Sequence, residues 1–192
     1  MPPKVKITKE AIVHTAVEIV REQGAAALNA RDIAAKLKCS TQPVFSNFST
    51  MEELRQAVVA DAEILFEEYM QRECEQGSYP AYKATGMAYI RYAREEKELF
   101  KLLYMRDRGT EDIPKETELG NMLAGMVQHN TGVTRERAEL FHLEMWAYVH
   151  GIAVMIATGF LDLEQELISR MLTDAYQGLK KHYEGAQEYG SD

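Results

Sequence analysis

The side chains best suited to chemistry lie in one string, Thr41-Gln42-Pro43-Val44-Phe45-Ser46-Asn47-Phe48. On a helix, Val44 and Phe48, four apart, share a side and turn inward. Thr41, Gln42, Ser46 and Asn47 are then left outside with donors and acceptors. Gln and Asn can meet adenine bidentately, at about 1–3 kcal/mol of discrimination for each such pair, and the Pro43 ring matches a thymine methyl. This is the chemistry of reading base edges in a DNA major groove.

Other clusters promise less. His142 and His150, eight apart on one helix, cannot chelate a metal unaided, and Glu144 and His129 would have to be brought in by the fold. Hydrogen-bonded or partly exposed imidazoles are expected instead, with His150, beside Gly151, placed for a polar contact to a ligand. Cys39 and Cys74 are too few for a disulfide framework, lack metal-ligand spacing, and have no neighbour arranged to lower a thiol pKa. The pairs Glu52-Glu53 and Glu95-Glu96 read as helix starts or solvated faces. No phosphate-cradling Gly loop, nucleophile elbow, HExxH or CxxC is present. The pattern argues against an enzyme and calls for no cofactor or metal.

The elements that must position the string are helical almost throughout. The chain has 192 residues, 46% of them hydrophobic, enough for a sizeable core in one large domain or two smaller ones. Apolar residues recur at three- and four-residue spacing with no sustained alternation. A first helix spans about 9–23 on an Ile12, Ala16, Ile19, Val20 stripe, stopped by Gly24. A second follows the N-cap Asn29, with Ile33, Ala34 and Leu37 inward. A tight turn at 38–40 leads to a third, Thr41 to Asn47. Thr50 with Glu53 forms a capping box for a long fourth, with Leu54, Val58, Leu65 and Tyr69 along it. Gly77-Ser78-Tyr79-Pro80 breaks the pattern. Further helices are expected at about 81–95, 97–106 and 116–129, the last after a polar loop from Arg106 to Lys115. Thr134 caps an eighth helix reaching Gly159, and Asp162 with Gln165 caps a ninth ending near Tyr183. A frayed tail, Glu184–Asp192, follows.

Charge is unevenly spread. Residues 1–55 carry eight basic and six acidic side chains, a balance of +2, so −10 falls on the remainder of a chain whose total is −8. A weakly basic segment can approach a polyanion that a strongly acidic one repels. The N-terminus, Met1-Pro2-Pro3-Lys4, has no apolar export signal. The longest near-continuous apolar run, Gly151 to Leu161, falls short of the roughly 20 residues that cross a bilayer. A cytoplasmic protein with no membrane partner is expected.

Helix, short helix, tight turn, short helix is the layout of a helix-turn-helix. At these residues the sequence resembles the TetR family of bacterial transcription regulators. The matching string is Ile12…Ala16…Gly24, Asp32-Ile33-Ala34, Ser40…Val44-Phe45-Ser46-Asn47-Phe48 and Glu53-Leu54. Trp146-Ala147-Tyr148-Val149-His150-Gly151 is similar to the Trp…His-Gly stretch of one subgroup's C-terminal domain. The resemblance implies an all-α protein of about nine helices. A three-helix DNA-binding domain, residues 1–50, would be joined by a long helix to a helical effector-binding and dimerisation domain, residues 51–192. The family usually has Gly in the turn where this chain has Lys38, a phosphate-binding Tyr where it has Phe45, and a phosphate-binding Lys where it has Met51. Backbone N–H groups at helix starts, with Arg31, Lys36 and Lys38, would then compensate.

The expected DNA-binding set is Arg31, Lys36, Lys38, Thr41, Gln42, Pro43, Phe45, Ser46 and Asn47. One short helix reads few bases, so a homodimer on a pseudo-palindromic double-stranded operator is expected. Small and apolar residues mark its seam on the last two helices: Ala147, Gly151 and Thr158, then Leu167, Met171, Ala175 and Leu179. Eight of the ten methionines lie at or after residue 70. Met87, Tyr89, Tyr92, Phe100, Leu103, Met122, Met126, Trp146 and His150 could line a cavity for a small, largely apolar effector that releases a repressor from DNA. The alternative is a TetR-like adaptor with a filled core, controlled by a partner protein.

Overall fold

The computed structural model describes residues 7–106 and 117–185. Among them are nine α-helices and one 3₁₀ turn, with no strand. Packing divides the chain into two compact units, Met1–Glu68 with Glu95–Asp107 and Tyr69–Arg94 with Arg108–Asp192. The functional division drawn between residues 50 and 51 therefore differs from the packing division: the first part of the fourth helix and all of the sixth pack with the N-terminal helices.

In the first unit, α1 (Lys9–Gln23) buries the expected stripe, with Ile12, Ala16, Ile19 and Val20 closed to solvent. Thr8 caps it, its hydroxyl accepting the Ala11 N–H at 3.2 Å. Gly24 ends it at φ +84°, its N–H donating to the Val20 carbonyl at 2.8 Å. After the 3₁₀ turn Ala25–Ala27, the Asn29 side chain accepts the Arg31 and Asp32 N–H groups and opens α2 (Ala30–Lys36). α2 buries Ala30, Ile33 and Ala34, while Leu37 is only half-buried. α3 (Gln42–Asn47) follows, anchored by Val44 and by Phe48 just beyond its end, both about 1% exposed.

α4 (Met51–Gln76) opens with the expected box. Thr50 Oγ1 accepts the Glu53 N–H at 3.1 Å, and the Glu53 carboxylate takes the Ser49 N–H at 2.7 Å. Its buried stripe is Leu54, Val58, Ala62, Phe66 and Tyr69. Leu65, expected there, is half-buried, because a four-residue step from Ala62 puts Phe66 on the inward side. α6 (Lys97–Tyr104) packs against α1 and closes Leu99 and Phe100 into this core, two residues shorter than expected because Met105 caps it. Arg21 Nε binds the Glu96 carboxylate at 2.7 Å beside that contact.

The second unit is built by α5 (Ala81–Glu95), α7 (Glu118–Thr131), α8 (Arg135–Ala157) and α9 (Gln165–Gly185), with α7 on α8 and α8 on α9. One core cluster joins Val127, Val133, Ala138, Phe141, Met145 and Tyr183. α5 comes close to α8 and α9 at Gly86, where an added Cβ would sit 3.3 Å from Leu172 Cδ1 and 3.5 Å from Val149 Cγ2. The nearly closed Glu73 carboxylate at the end of α4 pairs with Arg91 at 2.9 Å. α7 starts two residues later than expected, because Thr117 Oγ1 caps it by accepting the Gly120 N–H. Gly132 then closes it in the left-handed region.

The cap expected at Asp162 is not formed. Its carboxylate lies 3.6 Å from Arg94, whose guanidinium also donates to the Leu163 carbonyl, and the helix begins only at Gln165. α8 is long and apolar enough to cross a membrane by length and composition alone, more so than the run Gly151–Leu161 within and after it. Here it is a core helix, burying Phe141, Met145, Val149, Ile152 and Ile156 among others. The loop expected from Arg106 to Lys115 lies, except for Arg106, outside the described residues. So do Lys4 and Lys6 of the N-terminal charge balance and the tail beyond Gly185.

Candidate nucleic-acid interface

The site starts with the turn before α3. Lys38 donates its N–H to the Ala35 carbonyl at 3.1 Å and Cys39 donates to Ala34 at 2.9 Å, the two bonds of a Schellman ending on α2. That ending needs a left-handed residue at Lys38, which has φ +53°, the one non-glycine with positive φ among the described residues. The penalty implied by replacing Gly is therefore present in the fold.

α3 is a six-residue helix whose orientation is set by Val44 and Phe48. At about 100° per residue, the side opposite Val44 carries Gln42, Phe45 and Ser46, and all three are exposed. Thr41, Pro43 and Asn47 flank them half-buried. Two polar side chains are already engaged: Ser46 Oγ donates to the Gln42 carbonyl at 2.9 Å, and Asn47 Nδ2 donates to the Pro43 carbonyl at 2.8 Å. In this rotamer one Asn47 N–H is committed to its own helix, which leaves its second N–H and its Oδ1. Sequence could not reveal this, because back-bonding within a turn is a rotamer choice.

The cations are exposed in the same unit. Arg31, Lys36 and Lys38 all face solvent, with Lys36 Nζ held by Glu22 at 2.8 Å. The compensating N–H groups are less available than expected. Asn29 consumes two at the start of α2, and the box consumes those of Ser49 and Glu53 at the start of α4. α3 has no side-chain cap. Lys9, which the sequence reading did not single out, lies 4.7 Å over the Phe48 ring and 3.6 Å from Glu53, tying α1 to the base of α3 and to α4.

The nine candidate effector residues are not gathered round one cavity. Phe100 and Leu103 sit on α6 and belong to the first unit. Met87, Tyr89 and Tyr92 are packed into the core of the second, Tyr92 edge-on to Tyr69 at 5.3 Å. Met122 and Met126 do come together, in an open groove of about 490 Å³ shared with Pro80, Ala81, Tyr82, Gly125, His129 and Asn130. Trp146 is exposed and stacks on His150 at 5.0 Å.

Both α8 histidines are hydrogen-bonded by tyrosines of α5 that sequence reading did not pair with them. Tyr82 hydroxyl meets His142 Nδ1 at 3.0 Å and Tyr89 hydroxyl meets His150 Nδ1 at 2.9 Å. Burial pulls both imidazoles below their ordinary pKa and pushes the Tyr82 phenol up, so all are neutral near pH 7. The signal was the spacing: tyrosines seven apart on one helix match histidines eight apart on another, each about two turns.

The seam residues divide. Ala147, Gly151, Thr158 and Leu167 are exposed, Met171 is half-buried, and Ala175 and Leu179 pack against their own chain's core cluster. The last two also line a second open groove of about 340 Å³, with Glu144, Met145, Tyr148, Asp174 and Gly178. Leu140, Leu143 and Tyr148 add exposed apolar surface to α8.

Residues 82–175 match the family model described as the tetracyclin repressor-like C-terminal domain. A TetR-like transcriptional regulator from Rhodococcus sp. RHA1 superposes with a TM-score of 0.66 at 17% identity, over 93% of this chain and 98% of that one. The multidrug binding protein EbrR, solved in complex with imidazole, does so with a TM-score of 0.55 at 16% identity, over 90% and 95%. At such identities these two likenesses concern the fold. No curated protein matches the sequence.

Proposed function

We propose that this chain, whose residues 82–175 match the tetracyclin repressor-like C-terminal domain, is a DNA-binding transcriptional regulator of the TetR family, and on that premise a cytoplasmic, homodimeric repressor released from a pseudo-palindromic operator by a small, largely apolar effector. The observation that carries this reading is the face of α3, held outward by two buried anchors and exposing Gln42, Phe45 and Ser46 in the unit that also exposes Arg31 and Lys38. A helix so anchored can enter a major groove, and its two-fold mate would enter another on the same side of the duplex. The dimer reading is supported by the exposed apolar side of α8, where Leu140, Leu143, Ala147 and Gly151 run over three turns. An effector would act by preferring the dimer geometry whose recognition helices no longer fit the operator. The groove at Met122 and Met126 is the place for it in this chain, and the imidazole complex of EbrR, a relative in fold, supports a small ligand.

A second reading, an adaptor controlled by a partner protein with no small ligand, is favoured by the close packing of Met87, Tyr89 and Tyr92. One experiment tests the shared premise: selection of duplexes from a random pool by the purified protein, with binding then measured against salt. A regulator enriches a two-fold sequence, binds it as a dimer, and loses affinity linearly in log–log coordinates as salt rises. Failure to enrich any sequence overturns the reading.

A further inference from the structure

Phe45 is the largest exposed apolar side chain of the α3 face, 54% open to solvent. It lies one turn from Gln42, beside Ser46 and away from the buried Val44. Isolated exposed apolar residues are common on protein surfaces, so its exposure alone says little. What singles it out is the company it keeps. Ser46 Oγ and Asn47 Nδ2 already donate to carbonyls of their own helix, at 2.9 and 2.8 Å. Pro43 and Thr41 are half-buried. Ser46 Oγ and one N–H of Asn47 are thus committed within the helix, and the exposed side chains of this face without such a back-bond are Gln42 and Phe45.

A phenyl ring has no atom with which to hold a phosphate. Of the four bases, only thymine presents an apolar group, its 5-methyl, on the major-groove edge. The exposed cations Arg31 and Lys38 of the same unit supply the charge that brings a polyanion to this face. We propose that Phe45 determines operator specificity, its ring covering a thymine methyl in each half-site next to the base read by Gln42. The proposal rests on the regulator reading above and deepens it by naming the chemical feature selected. Selectivity would then come partly from an apolar contact and less from ionic ones.

Deoxyuridine differs from thymidine only by the missing methyl, so it isolates the contact. In the duplex selected by the full-length protein, each symmetry-related pair of thymines is replaced in turn by deoxyuridine. At one pair, wild-type affinity falls by roughly fourfold per half-site, the effect of one buried methyl. Phe45→Ala binds the thymine duplex about as weakly as the wild type binds the uracil one, and loses the preference. Phe45→Tyr keeps the ring and the preference. Photocrosslinking the unmutated protein to a duplex with 5-iodouracil at that position, followed by mass spectrometry, recovers a peptide joined at Phe45.

A wild type that ignores the methyl at every thymine overturns the proposal. So does a Phe45→Ala variant that retains the preference, or a crosslink that falls on another residue. In each of those cases, salt-dependent binding to a selected two-fold sequence persists and the regulator reading stands. If no sequence is selected at all, that reading falls and takes this one with it.

Discussion

Helices α3 and α8 both hold aromatic rings in water, Phe45 at 54% exposure and Trp146 at 43%, but in different settings. On α3 the ring stands among short polar side chains on a helix of six residues. On α8 it stacks on His150, whose Nδ1 is bonded by Tyr89, at the margin of an apolar strip that includes Leu140, Leu143 and Ala147. A lone ring in a polar setting fits a wet groove that offers one methyl at a time. A strip several turns long fits another apolar surface, since burial there accumulates with area. The unevenness of charge along the chain agrees, with the basic balance in residues 1–55 that supply α3 and the acidic balance in the remainder that supplies α8.

The largest expected effect separates a ring that holds the fold from one that works on its surface. Phe48→Ala removes a side chain about 1% exposed at the base of α3 and should cost about 3–5 kcal/mol by urea denaturation, abolishing specific DNA binding with it. Phe45→Ala, three residues earlier, should shift the same curve by less than about 0.5 kcal/mol. Similar losses for the two would mean that α3 is buried on both sides and cannot enter a groove.

Gly151 tests the other region. An added Cβ there meets nothing within 4 Å in its own chain. Gly151→Gln should therefore raise protomer stability, because Gly is about 0.8–1.0 kcal/mol worse than Ala in a helix interior and Gln is close to Ala. If the proposed dimer seam runs along this side of α8, the same side chain stands in it, and sedimentation should show the dissociation constant raised by about tenfold or more, roughly 1.4 kcal/mol. A more stable protomer whose dimer dissociation constant is unchanged or lowered would place Gly151 outside the seam.

Met51→Lys is smaller again and returns to α3's neighbourhood. Met51 is half-buried at the first position of α4. A cation there is disfavoured by the helix dipole, at about 0.3–1 kcal/mol. If the start of α4 faces the phosphates, DNA affinity nevertheless rises at every sequence and the salt slope steepens by about 0.9. An unchanged slope would turn that helix start away from the backbone.

What could be read from the sequence follows the range over which each feature is decided. The caps by Asn29, Thr50 with Glu53, and Thr134 form as expected, because each is settled within four residues. The anchors Val44 and Phe48 were legible for the same reason. Asp162 carried an equally good local signal, yet the helix begins only at Gln165 and the carboxylate lies 3.6 Å from Arg94, 68 residues away in sequence. The candidate effector residues were scattered for a similar reason: α6 follows α5 almost without a break, yet it packs on α1, so Phe100 lies in the first unit while Met122 and Met126 line a groove of the second. Even on α3 only the anchors were fixed by pattern, while the rotamers of Ser46 and Asn47, which decide what a base would meet, were not.

The smallest effect concerns the two ends of α2, where the chain turns by different means. Before it, where α1 ends, Gly24 takes φ +84°, and a Cβ there would push aside a Glu98 carboxylate oxygen 2.9 Å away as well as strain the backbone. After it, Lys38 takes φ +53° in the open, where space is no obstacle and only backbone strain, about 1–2 kcal/mol, opposes a side chain. Lys38→Gly relieves that strain but gives the unfolded chain more freedom, about 0.5–1 kcal/mol. The thermal or urea midpoint should therefore rise by an amount worth less than about 1 kcal/mol. If the lysine touches a phosphate, the salt slope of DNA binding should at the same time become shallower by about 0.9. Greater stability together with a shallower slope would mean that strain in the turn is retained for the cation it carries to the duplex; a higher midpoint with an unaltered slope would leave Lys38 as a turn residue with no part in binding.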